Sequence, residues 1–196
     1  MLTSFEGPPI DDSAILDRLP EDIANCLKRR NGFITANGGF HVRGACIHPA
    51  WHSLRAAWED NLALHRLYPE VLESDVPLAE DCFGDQFLLR DSQVIRLVAE
   101  TGEIEEANCN WPEFLAGVEA DPVGFLNLWS LGQFQEEFGP LPAGSLIHAY
   151  PPFVTVQGSN PSLRAISALE LRVFHADFAR QIRGIPDGGK IEIKVL

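Results

Sequence analysis

Between Glu80 and Glu106 short apolar runs alternate with two-residue polar breaks, and this rhythm limits the fold more than any other feature of the chain. Cys82-Phe83, Phe87-Leu88-Leu89, Val94-Ile95-Arg96-Leu97 and Ile104 are separated by Gly84-Asp85, Asp91-Ser92 and Thr101-Gly102. Breaks of that length and chemistry suit tight turns between antiparallel strands. A meander is therefore expected from about Leu78 to Ala107. Its period of two turns Phe87, Leu89 and Leu97 inward and Asp91, Glu103 and Glu105 outward.

The flanking segments supply helices and one hairpin. Pro20–Arg30 predicts a helix: proline suits the first helical position, Glu21 and Asp22 favour the positive end, and Asn31-Gly32 is a stop. Phe33–Ala36 and Phe40–Arg43 flank Asn37-Gly38-Gly39, a hairpin signal. Trp51, Leu54, Trp58 and Leu62 recur at helical spacing and predict a second helix from near Pro49 to about Leu67. Asn110 with Glu113 reads as a capping box that sends Trp111, Phe114, Leu115 and Val118 to the core. Asp121-Pro122 opens another helix whose stripe, Phe125 to Phe138, is too wide for a free surface helix and must pack. Residues 140–161 hold five prolines and read as a loop with a short extended piece near Phe153–Val156. Ser167 and Glu170 open a helix to about Ile182, and Lys190–Val195 alternates as a last strand.

The expected class is α+β: a twisted, mainly antiparallel sheet packed with helices, followed by a C-terminal helical extension and a final strand. Residues 1–14 read as a loose arm, 15–121 as the sheet domain, and 122–196 as an extension packed on the same core. A chain of 196 residues with 45% hydrophobic composition can bury such a core. No apolar run reaches the ~18 residues of a membrane span, and Met1–Glu6 lacks the pattern of a signal peptide. The cytoplasm is the expected address, so Cys26, Cys46, Cys82 and Cys109 are expected as free thiols.

The formal charge of −13 is concentrated. Between Pro69 and Asp121 fourteen acidic residues face only Arg90 and Arg96, a local net charge of −12. Nucleic-acid binding needs a basic footprint, so that class is disfavoured. An acidic surface suits a basic protein, because complementary charge speeds encounter.

Several of these segments, in this order, resemble the SUKH superfamily of bacterial toxin-immunity and cell-wall-regulator domains. Glu80-Asp81-Cys82-Phe83-Gly84-Asp85 followed by strands and Glu100-Thr101-Gly102 is similar to the central motif. Leu19-Pro20-Glu21-Asp22-Ile23 with Asn31-Gly32 resembles its first helix and hairpin, and Trp58 and Asn110–Leu115 resemble later elements. The likeness spans about residues 15–121. Two departures stand: the helix usually ahead of the Leu-Pro is missing or very short, and residues 122–196 have no counterpart. The resemblance implies a domain that binds proteins rather than one that catalyses a reaction.

Chemistry-bearing patterns are sparse. His48 and His52 are spaced to share a metal with His41 or His65, but lack the glutamate of a metalloprotease helix. The acids near residue 80 lack the alternation and glycine of a calcium loop. As a glycosidase pair they would need a cleft that raises one pKa. No serine sits in a Gly-x-Ser-x-Gly elbow, and no glycine loop cradles phosphate. No cofactor or metal is expected. The reading is a non-enzymatic immunity protein that meets a basic partner, such as a toxin domain, through Glu80, Asp81, Asp85, Asp91, Glu103, Glu105 and Glu106. The alternatives are a small metal-dependent hydrolase using the His41/His48/His52 region and a regulatory adaptor with an endogenous partner.

Overall fold

The computed structural model describes residues 3–155, 161–186 and 188–191. Seven antiparallel strands pair in sequence order: β1 (Phe5–Glu6), β2 (Phe33–Thr35), β3 (Phe40–Val42), β4 (Val76–Asp81), β5 (Gln86–Arg90), β6 (Gln93–Leu97) and β7 (Ile104–Glu106). The expected turns close it, with Gly84 and Gly102 at positive φ and Asp91 and Ser92 left-handed between β5 and β6. Phe87, Leu89, Leu97 and Trp111 are buried, whereas Asp91, Glu103 and Glu105 are exposed.

Both faces of the sheet are covered. Phe40, Val42, Phe87, Leu89 and Val94 point to one face. There they meet Ile23 and Leu27 of α2 (Glu21–Arg29), Trp111 and Phe114 of α5 (Trp111–Ala120), and Leu131 and Phe134 of α7 (Trp129–Phe138). Leu88, Ile95 and Leu97 point to the other, against Leu64 of α4 (Leu64–Leu67) and Ala176 and Ala179 of α8 (Ala168–Ile182). Burying each large apolar side chain contributes roughly 1.5–3 kcal/mol. The α5 start is held as expected: Asn110 Oδ1 accepts from the Glu113 amide and Glu113 Oε2 from the Asn110 amide, each at 3.0 Å.

The structure departs from expectation in four places. The N-terminal segment is no loose arm: β1 pairs with β2, and α1 (Ser13–Leu16) is capped by Asp12, which also binds Arg55. The helix expected over Pro49–Leu67 is two short helices, α3 (Leu54–Trp58), capped by Ser53, and α4. Asp60 and Asn61 lie between them, residues whose side chains compete for backbone hydrogen bonds. The helix after Asp121 is split into α6 (Pro122–Leu126) and α7 by Asn127 in the left-handed region, which asparagine tolerates. The proline-rich loop contains β8 (Ser145–Tyr150), paired with β9 (Ser162–Ser167), while Phe153–Thr155 forms a turn. The expected strand over 190–195 lies mostly outside the described residues.

Candidate functional site

Strand β4 ends in Glu80-Asp81, and successive side chains on a strand point to opposite faces. Every residue of β4 is buried, because helices cover both faces. Glu80 turns towards α8 and Asp81 towards the α5–α7 side. Two different acidic environments result.

Glu80 is sealed. Its Oε2 accepts from Arg43 at 2.6 Å and from Gln86 at 3.0 Å, and Arg172 of α8 lies 3.6 Å away. Its Oε1 accepts from His41 Nδ1 at 2.9 Å. His41 Nε2 and His52 Nδ1 are 2.8 Å apart, and His52 Nε2 lies 3.1 Å from the Asn31 carbonyl oxygen. With both rings neutral, His41 Nε2 accepts the His52 Nδ1 proton, and the approach to Asn31 then carries no proton. Burial would push Glu80 up, but Arg43, His41 and Arg172 together hold it far below the usual carboxylate range. Burial pushes His41 down and takes His52 to about 4.

Asp81 faces a cleft of about 370 Å3 between the meander and the C-terminal segment. Asp81 Oδ1 accepts from the amides of Phe83 at 2.8 Å and Asp85 at 3.1 Å, which ties down the turn at Gly84. Its Oδ2 receives no hydrogen bond among the described residues. Asp85 is committed: Arg96 Nε donates to Oδ2 at 2.9 Å with NH2 alongside, and the Ala99 amide donates to Oδ1 at 2.8 Å. Glu100 accepts from the amides of Phe153 at 3.0 Å and Val154 at 2.8 Å, so the C-terminal segment is docked on a meander carboxylate. Burial, with Asp85 adding like charge, pushes the Asp81 carboxyl well above the usual range, and burial raises Glu100.

The walls are apolar. Phe83 and Phe153 meet edge to face with centroids 5.3 Å apart, Leu126 and Val98 line the recess, and Trp129 stands beside it 71% exposed. A larger hollow of about 530 Å3 lies between α2 and α5, but its charged groups, Asp22, Arg29 and Glu119, sit on open helix surfaces.

Of the seven acids expected on a partner-facing surface, only Asp91, Glu103, Glu105 and Glu106 are exposed. Glu80, Asp81 and Asp85 are buried, a correction whose cause is the double-sided cover of the strands they belong to or adjoin. Glu105 and Glu106 lie on the edge strand β7, where acids also discourage edge pairing. His41 and His52 are brought together by a hydrogen bond, while His48 is exposed. Among the described residues no three His, Cys, Asp or Glu side chains converge as metal ligands would, so the geometry expected of a His41/His48/His52 metal site is not formed. Cys26, Cys46, Cys82 and Cys109 are free thiols.

Sequence reasoning missed Arg43, Glu100, Trp129, Phe153 and Arg172. Trp129 belongs to the aromatic stripe expected to be core. Leu126, Leu131 and Phe134 from that stripe are buried, but Phe125, Trp129 and Phe138 are left exposed. The break at Asn127 is the only local signal that the stripe changes direction there.

No protein-family model and no curated protein matches the chain. Among solved structures it is similar to the crystal structure of Atu4351 from Agrobacterium tumefaciens, with a TM-score of 0.52 and 12% identity over 89% of this chain and 85% of that one. At that identity the likeness speaks for the fold alone. Among the described residues no helix is long and apolar enough to cross a membrane.

Proposed function

We propose that this chain is a non-enzymatic protein-binding domain of the SUKH type, an immunity protein that neutralises a cognate bacterial toxin by covering its active surface. The observation that carries the reading is Trp129, a large aromatic side chain 71% exposed beside an acid-floored recess. Exposed aromatics next to pockets are the usual anchors of protein interfaces. Asp85 and Glu100 are held by Arg96 and by backbone amides, which suits a fixed surface better than a proton shuttle. The motif order through residues 15–121 adds the family likeness. The cytoplasm is the address that goes with this reading.

A pull-down from the native cell, with identification of the bound chain, tests it. Capture of a basic protein whose toxicity the chain suppresses is the expected result, and a toxin-domain gene beside this one favours immunity over an endogenous adaptor. A captured partner that is neither basic nor toxic would overturn the immunity reading. Reversing Asp91, Glu103, Glu105 and Glu106 to lysine should slow association and flatten its salt dependence, with the fold intact. An unchanged salt dependence would remove the acidic rim from the interface.

A further inference from the structure

We infer that the cleft between the meander and the C-terminal segment seats an arginine side chain of a basic partner protein, with Trp129 at its rim and Asp81 Oδ2 at its floor. This rests on the protein-binding reading above and gives the partner a chemistry. Three independent features converge on it.

The first is charge. The cleft is lined by three carboxyls, Asp81, Asp85 and Glu100, and among the described residues by one cation, Arg96. Arg96 is already committed, Nε and NH2 to Asp85 and NH1 to Glu105 at 3.3 Å. The recess is therefore short of positive charge, and an anionic or purely apolar occupant would leave that deficit in place.

The second is an unfilled acceptor. Asp81 is only 2% exposed, lines the cleft, and spends Oδ1 on two amides while Oδ2 has no donor among the described residues. An acceptor that opens into the cleft without a protein donor is free to take a charge-assisted N–H. Burial first, and then the like charge of Asp85, hold the Asp81 carboxyl above the usual range, and a guanidinium at Oδ2 would draw it back down.

The third is shape. A guanidinium is planar, weakly hydrated and stacks on aromatic faces, whereas an ammonium is a strongly hydrated point charge. The walls offer Trp129, Phe83 and Phe153 around the acids, a setting for a cation held over π-faces. The cleft at 370 Å3 lies in the size range of small-ligand sites.

The test titrates the full chain with a nona-arginine peptide and, in parallel, a nona-lysine peptide, following the indole N–H resonance of Trp129. Saturable binding that moves this signal is expected, with nona-lysine weaker. Trp129→Ala should weaken nona-arginine by about tenfold, the scale of one partly desolvated cation–π contact. Asp81→Asn retains the Oδ1 acceptor for the turn and should weaken binding at least as much. Reversal of Glu21 and Asp22, exposed on α2 and outside the cleft lining, serves as a control and should change affinity less than about twofold, as expected for screened surface charges. The proposal is overturned if Trp129→Ala and Asp81→Asn bind like the wild type, if the α2 reversal weakens binding as much as they do, or if nona-lysine binds as well as nona-arginine. Should Asp81→Asn not fold, Trp129→Ala decides alone, because its side chain is exposed. A natural partner captured equally by wild type and Trp129→Ala would sink the cleft and leave the protein-binding reading standing. Nona-arginine binding at Trp129 in a chain that captures no protein would do the reverse.

Discussion

Glu80 and Asp81 are adjacent in sequence, buried to nearly the same degree, and electrostatically opposite. Glu80 is surrounded by Arg43, Arg172, His41 and Gln86 and is held strongly acidic. Asp81 has two backbone amides, a like-charged neighbour and an open recess, and is held weakly acidic. Burial alone does not set a carboxyl's behaviour; which face of the strand it occupies decides what compensates it. One side of the sheet uses its acid as an internal tie, and the other leaves an acid for something outside.

The sharpest way to break this contrast is Glu80→Ala. It leaves Arg43 and Arg172 buried together without a counter-ion, and removing one partner of such a network costs about 3–5 kcal/mol. Denaturant unfolding should show the loss in full. A change below about 1 kcal/mol, the value of an exposed pair, would mean that Glu80 is no structural tie.

Acid provides a graded version. Burial takes His175 to about 3 and His52 to about 4, below their unfolded value of about 6.5. Between those limits the unfolded chain binds more protons, so this contribution is complete above pH 6.5 and is lost as pH falls towards 3. Glu80, depressed as well, adds a loss of the same sign once pH drops below the ordinary carboxylate range. The histidines should therefore pull the melting midpoint down from pH 7 to pH 4, against a partial offset as the Asp81 and Glu100 penalties fade. In Glu80→Gln the fall below about pH 4.5 should be shallower, since the depressed carboxyl is gone; an identical slope would contradict its assigned role.

Asp81→Asn should give the smallest effect and the opposite sign. The folded carboxyl is raised, so at neutral pH it opposes folding, and this penalty fades as pH falls to the unfolded carboxylate value. Asparagine keeps the Oδ1 acceptor. The variant should melt higher than the wild type at pH 7 and match it near pH 3.5. A lower midpoint at pH 7 would show that Asp81 is compensated in the folded state after all. Higher stability together with weaker arginine binding would mark the residue as kept for its ligand.

The sequence carried the sheet well because its signals are local. Gly84-Asp85, Asp91-Ser92 and Thr101-Gly102 each close a turn within a few residues of the strands they join, and Asn110 with Glu113 specifies its own helix start. Strands β8 and β9 escaped because Ser145–Tyr150 and Ser162–Ser167 carry little alternation and find their ladder only in each other. The candidate site was half visible. Acids after an apolar strand suggested a surface, but nothing local announced that Arg43 and Arg172, remote in sequence, would close over Glu80. The two arginines within the acidic stretch could have been counted: Arg90 binds Asp75 and Arg96 binds Asp85, so neither acid is free to meet a partner.

Arg172 also bears on the order in which the molecule can be completed. Glu80 gathers His41 and Arg43 from the hairpin, Gln86 from the meander and Arg172 from the last described helix. Contacts between such distant parts of the chain close late, because loop-closure entropy must be overcome first. During synthesis the sheet would leave the ribosome with Leu88, Ile95 and Leu97 still uncovered by α8. A nascent chain of this protein thus passes through an interval in which one sheet face is sticky and its central acid has only one of its two arginines. Chaperone engagement should be concentrated in that interval and end when α8 docks.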